Sequence, residues 1–278
     1  KKPPRGLFVL QGLYMEKLLR VVQQHYRTRR RNLLWRRTKD PYRILVSELM
    51  LQQTQVERVI PYYKKFIRKF PTPRALARAK FSEVLAVWQG LGYNRRAKFL
   101  HQAGKRIAKY GFPKQTEDIE KLPGVGHYTA RAITAFAWNY PEVFIETNIR
   151  TVFIHSSFLQ KARISDKEIL PLVEKALKES RMQPRDFYAA LMDYGAHLKK
   201  GGVKLNAKSA HYTRQSKFKG SARELRGIIL RELLKHKATL TVLAHKIPRS
   251  QHDLAHELAR LTTEGLVRLR GKYFSIPE

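Results

Sequence analysis

The chain of 278 residues contains no cysteine. That excludes disulfides, thiolate zinc sites and cysteine-ligated iron–sulfur clusters, and it fits a reducing compartment. Acidic residues are scarce as well, 22 against 56 lysines and arginines, which leaves a formal net charge of +34. A surplus of one sign on this scale favours a polyanionic partner, because the field concentrates nucleic acid and speeds encounter; solubility or adaptation to an unusual cytoplasm is the alternative, and it does not favour one sign so heavily. No apolar run approaches the roughly 20 residues that a membrane-spanning helix requires. The opening KKPPRGLFVLQGLYM has the look of a targeting segment, but Gln11 interrupts its apolar stretch and no small-residue cleavage site follows. The expected setting is intracellular, with no membrane partner.

What the chain does have is length enough for two or three compact units, and 43% hydrophobic residues, which supports globularity. Apolar spacing predicts helices over residues 14–26, from 40 through 50, and over 59–70, 73–78, 81–88, 94–109, 116–121, 128–138, 147–158, 165–177 and 183–198. Gly- and Pro-marked connections between them describe a compact, mainly α domain. The stretch 195–220, GAHLKKGGVKLNAKSAHYTRQSKFKG, has no acidic residue and reads either as a phosphate-contacting connector or as a solvated linker. Three further helices, 221–235, 239–246 and 250–261, precede LVRLRGKYFSI, which alternates about Gly271 like a hairpin. Helices followed by a hairpin describe a winged helix, a module that binds either DNA or protein.

Two stretches carry candidate chemistry. LPGVGHYTARAITAFAWNYPEVFIETNIR, residues 122–150, combines Pro123, Gly124 and Gly126 with a helix opening near His127 and, beyond it, the acidic Glu146. Glycines permit tight or left-handed backbone, and a helix start presents N–H groups to a phosphate; the alternative is an ordinary interhelical turn. The second stretch, SELMLQQTQV, sets Glu48 on an apolar helix beside Gln52, Gln53 and Gln55. A desolvated carboxyl holds its proton to higher pH, which suits proton donation, and glutamine amides can read base edges or fill a gap in a base stack. Pairing of Glu48 with Arg43 or Arg58 is the structural alternative.

SELMLQQTQV, WQGLGYNRRAKFL, LPGVGHYTA, ETNIRTVF and LMDYGA together closely resemble the helix–hairpin–helix DNA glycosylases, and within them the MutY-type adenine glycosylases. The resemblance runs from about Tyr14 to Ala196 with the motifs in order. It implies a two-subdomain helix–hairpin–helix fold over 14–198, with a six-helix barrel at 37–146 and a second helical subdomain from 14–36 plus 147–198. A basic connector at 199–220 and a winged helix at 221–278 complete the expected organisation. The implied activity is hydrolytic release of adenine, or a related purine, from mispaired or damaged double-stranded DNA in base excision repair. By position, Glu48 is the acid that protonates the base and Glu146 the carboxylate that stabilises the developing sugar cation. Gln52 is the wedge into the stack and Tyr93 the intercalating aromatic, with Gln53 alongside. Arg31 and Trp35 resemble residues lining the flipped-base pocket. Leu122, Gly124, Val125, Gly126 and Thr129 belong to the phosphate-gripping hairpin, and Lys199 and Lys200 are further backbone contacts. Tyr128 stands where bifunctional relatives carry an attacking lysine; a phenol does not replace that amine, so no lyase step is expected.

The chain also departs from that family. Relatives carry aspartate where Glu146 stands, and the added methylene displaces the carboxylate by about a bond length, enough to matter for rate. The four cysteines usual after Ala196 are absent, so no cofactor or metal is expected. The segment from Ser221 is not the Nudix-like domain that reads 8-oxoguanine in MutY enzymes. Thymine, uracil or hypoxanthine as the excised base, or a degenerate DNA-binding module, are the competing readings. The expected protein is a nucleoid-associated monomer of a prokaryotic cytoplasm.

Overall fold

The structure is a computed structural model that describes residues 5–213 and 217–278, with side chains from residue 14 onward. It is mainly helical, in two compact units: one takes in the chain up to Pro41 together with His127–Arg214, the other Tyr42–Gly126 together with the stretch from Gln215. One division falls between Gly126 and His127, the first residue of a helix.

In the first unit, α1 (Arg5–Arg29), α8 (His127–Trp138), α9 (Thr147–Ser157), α10 (Asp166–Ser180) and α11 (Pro184–Lys200) pack together. Helix α1 begins at Arg5, well before the predicted residue 14, because the apolar stretch around Gln11 continues the helix that follows it. The α9–α11 contact is close: a Cβ built on Gly195 would lie 2.2 Å from the carbonyl oxygen of Asn148, so only glycine lets α11 approach the first turn of α9. A buried carboxylate fixes the segment after α1. Asp193 on α11 accepts from Arg31 through the backbone N (2.9 Å) and Nε (2.5 Å), and from Arg36 Nη1 at 2.7 Å. Burial alone would raise the Asp193 carboxyl, but the hydrogen bonds and charges of Arg36 and Arg31 hold it below the usual aspartate range. Half of the predicted connector is likewise built in: Ser209 is buried, Ile164 and Ser209 form a parallel bridge, and Thr151 Oγ1 donates to Asn206 Oδ1 at 2.8 Å. Lys199 and Lys200 lie in the last turn of α11.

The second unit holds α2 (Pro41–Leu51), α3 (Val56–Lys69), α4 (Pro73–Arg78), α5 (Phe81–Trp88), α6 (Arg95–Tyr110) and α7 (Thr116–Glu120) around a core that includes Leu45, Phe66 and Trp88. Local chemistry sets the helix ends; Thr72 caps α4, its hydroxyl accepting from Ala75 N at 3.1 Å, with Pro73 at the first helical position. The same unit includes α12 (Ala222–Lys235), α13 (Leu240–Lys246) and α14 (Gln251–Thr263), followed by the hairpin β1 (Arg268–Arg270) and β2 (Tyr273–Ser275). Its strands pair antiparallel with Leu269 opposite Phe274, Gly271 takes the left-handed turn position (φ 57°), and Ala238 bridges Phe274 on the other side. Three helices and then a two-stranded hairpin make up this stretch.

Replacing Asp193 with asparagine should cost about 3 kcal/mol at neutral pH, because two guanidinium groups lose a buried partner. A carboxylate held low stabilises the fold above its unfolded value and loses that contribution as pH falls through the folded one. Urea midpoints of wild type and Asp193→Asn should therefore converge as pH drops below the ordinary aspartate range; a pH-independent gap would refute the assignment.

Candidate active site

In the second unit the SELMLQQTQV segment forms the end of α2, the turn after it and the first residue of α3. Glu48 is buried at 6% exposure among apolar neighbours on the helix. Arg58, one of the two arginines the sequence offered as its partner, donates to the carbonyl of Gly90. At the end of α2 the backbone turns sharply, and Gln53 takes φ 54°, a left-handed conformation that costs a non-glycine residue about 1 kcal/mol. Gln52 Nε2 donates to the carbonyl of Gly124 at 3.3 Å, which ties the predicted wedge to the predicted phosphate grip.

The hairpin is a tight turn, with Val125 N donating to Leu122 O at 3.0 Å. Leu122 and Val125 are buried and anchor it, and Gly124 (φ 78°) takes the left-handed position. A Cβ on Gly124 would meet the Phe99 side chain at 2.7 Å, whereas one on Gly126 would meet nothing. Gly126 is thus not needed for a left-handed turn; it leaves open space where α8 begins. Thr129, in the first turn of α8, is buried rather than presented to solvent.

A second bend, before α6, places Tyr93. Gly90, Gly92 and Tyr93 all have positive φ (97°, 83° and 50°). The group that shapes both bends is Arg96, which the sequence reading passed over as one more cation on a basic helix. Arg96 is 6% exposed. Its Nη1 donates to the carbonyls of Leu49 (2.9 Å), Met50 (2.8 Å) and Gln52 (2.5 Å), and Nη2 donates to Thr54 Oγ1 and Gly92 O, each at 3.1 Å. The guanidinium also lies 5.5 Å from the Trp88 ring centre and 5.2 Å from that of Tyr93. Burial pulls it down to about 10, so it stays charged at neutral pH. Gln52, Gln53, Tyr93 and Phe99 face a cavity of about 460 Å³ whose lining also includes Arg95, Arg96, Arg223, Arg226, Arg260 and Glu264.

In the first unit, Glu146 is the N-cap of α9. Its Oε1 accepts from the backbone N of Asn148 (2.7 Å) and Ile149 (2.9 Å), and Oε2 from Asn148 Nδ2 at 3.2 Å. Capping favours shorter side chains; here the extra methylene lets a glutamate fold back onto its own helix. Lys199 donates to Asn148 Oδ1 at 2.8 Å, so the predicted backbone contact is engaged inside the unit, while Lys200 is exposed. Burial pushes the Lys199 ammonium below the usual lysine range, with Arg150 and Arg31 acting in the same direction and Glu146 against them. Arg31 pairs with Asp193 and Trp35 is buried at 7% exposure. Tyr128 stands edge-on to Phe144 (5.6 Å), which stacks on Tyr188 at 3.8 Å.

Arg96→Met should destabilise the fold by about 3 kcal/mol, since several buried carbonyls lose their donor. Arg96→Lys should recover only part of this, because an ammonium lacks the planar fork. Urea unfolding measures both; a silent Arg96→Met would remove the hub role.

Comparison with known proteins finds similarity over part of the chain. Residues 46–179 match the HhH-GPD superfamily base excision DNA repair protein family, a span that includes Glu48, Tyr93, the hairpin and Glu146. The chain is 39% identical over 178 residues to an adenine DNA glycosylase of Mycobacterium tuberculosis, covering 62% of this chain and 58% of that protein. An adenine DNA glycosylase of Buchnera aphidicola is 36% identical over 181 residues, covering 63% and 51%. The chain thus spans a little over half the length of these curated relatives. Among solved structures, a thermostable thymine-DNA glycosylase aligns with TM-score 0.59 at 27% identity, covering 67% of this chain and 88% of that one. A trapped endonuclease III–DNA covalent intermediate aligns with TM-score 0.53 at 17% identity over 66% of this chain and 85% of that one, a likeness of fold. Residues 46–179 thus match the helix–hairpin–helix (HhH-GPD) superfamily, and the chain is similar to adenine DNA glycosylases over part of their length.

Proposed function

We propose that this chain is a monofunctional DNA glycosylase that removes adenine from mispaired duplex DNA. The observation that carries the reading is the buried Glu48 on the helix whose terminal Gln52 is bonded to the hairpin. An enzyme of this kind extrudes the target base, at a cost of a few kcal/mol in lost stacking. Gln52 and Tyr93 would fill the vacated space, and the hairpin would hold the backbone. Glu48 donates its proton to the purine as the glycosidic bond breaks, and the bonding electrons leave with the base. The Glu146 carboxylate offsets positive charge on the sugar, and water adds to C1′ to leave an abasic site. With a tyrosine at position 128, hydrolysis is the route rather than amine attack. The likeness to a thymine-DNA glycosylase favours a second substrate, thymine opposite guanine, within the same mechanism.

Glu48→Gln should lower single-turnover base release at least about a thousandfold, combining the loss of a general acid with that of a site charge, while duplex affinity stays within a few-fold. Base release by this variant at the wild-type rate would refute the acid assignment. Duplexes labelled at one adenine or thymine mispair should show strand breaks only after alkali. Nicking without alkali would refute the monofunctional reading, and the preferred mispair decides between the two substrates.

A further inference from the structure

The region beyond the family match is tied directly to the bend that carries Tyr93. Helix α12 lies against it: Gln89 Nε2 donates to Gly227 O at 2.9 Å, and Lys98 on α6 donates to the carbonyl of Glu264 at 2.6 Å. Arg226 on α12 pairs with the Glu264 carboxylate, its Nη1 donating at 3.0 Å. Through these contacts α12 carries Arg223 to the tyrosine. Arg223 Nη1 donates to Tyr93 Oη at 2.7 Å, and its guanidinium lies 5.4 Å from the ring centre. Arg96 approaches the same ring from within the fold, so two guanidinium groups flank the phenol. The ring borders the cavity of about 460 Å³ that Gln52 and Gln53 also line.

We infer that Arg223 is a positioning residue for Tyr93, and that the C-terminal module acts in base extrusion by fixing the aromatic that enters the stack. This rests on the glycosylase reading only for the step it affects. A side chain that fills a gap between bases has to present its ring in one orientation, and Tyr93 sits at a left-handed residue after two glycines of positive φ, where the backbone itself offers little guidance. Arg96 fixes the carbonyl side of that bend; Arg223 fixes the hydroxyl end of the ring. An arginine whose sole role is phosphate attraction has no need of a phenol as acceptor, and the fork that reaches Oη here is shape-specific in a way that a lysine is not.

The test uses the full chain with Arg223→Ala, Arg223→Lys, Tyr93→Phe and the Arg223→Ala/Tyr93→Phe double variant. Two quantities are read: single-turnover base release, and the fluorescence rise of 2-aminopurine placed beside the mispair, which reports unstacking. Arg223→Ala should slow base release about tenfold, the worth of one charge-assisted hydrogen bond, and lower the fluorescence amplitude, with undamaged-duplex affinity within about twofold. Arg223→Lys should keep affinity and melting temperature yet share the loss of amplitude. In the Tyr93→Phe background the same alanine change should cost little more, because the shared bond is already gone. Equal losses in both backgrounds, or a loss of affinity with base release at saturation unchanged, would overturn the inference. Absence of base release by the wild type on every mispair would refute the proposed function alone, and the 2-aminopurine signal would still decide the role of Arg223.

Discussion

A buried guanidinium with carbonyl oxygens for partners organises half of the candidate site. Arg96 gathers the carbonyls at the end of α2 and those of the bend before α6, two segments far apart in sequence, and so sets the poses of Gln52 and Tyr93 with one group. A lysine could not serve, because the acceptors lie in the directions of a planar fork. Nor would a carboxylate partner, which would draw the cation toward one point and leave the remaining carbonyls buried without a donor. The arrangement keeps its charge at neutral pH.

Three of the chain's acidic residues hold arginines in buried or partly buried pairs. Asp193 takes Arg31 and Arg36, Asp166 holds Arg150 through two bonds of 2.8 Å, and Glu264 holds Arg226. Carboxylates committed to fixing the architecture are withdrawn from the surface, which leaves the cationic surplus there. Composition reports the surplus; in the structure Arg31, Arg36, Arg150 and Arg226 are paired with carboxylates, and Lys200 is exposed.

Element boundaries were legible because apolar periodicity, prolines and capping residues are local signals. Pro73 after Thr72, the hairpin about Gly271 and the glycine turn at residue 124 each declare themselves within a few residues. What sequence could not supply was long-range pairing. Arg96 is one cation among many in WQGLGYNRRAKFL until its acceptors around residue 50 are known, and Lys199 reads as a phosphate contact until Asn148 is seen beneath it. Residues 206–209 read as connector because their partners, Thr151 and Ile164, lie far back in the chain. Gly195 carries no local signal either; its requirement comes from the Asn148 carbonyl across the helix pair. The start of α1 was missed for a different reason, since one glutamine in an apolar run breaks a targeting pattern without breaking a helix.

Glu146 joins an observed role to a proposed one. Its oxygens close the N-terminus of α9, and the function proposed above asks the same oxygens to offset charge on the sugar. Helix ends are the first parts of a helix to fray, so the order of this carboxylate is tied to the most labile turn of its element. Gly195 and Lys199 bear on that turn from α11, the one by close backbone approach and the other through Asn148. Warming should therefore blur the charge before the protein melts. The temperature optimum of such an enzyme would be set by the lifetime of a single helical cap, and changes far from any DNA contact could move it.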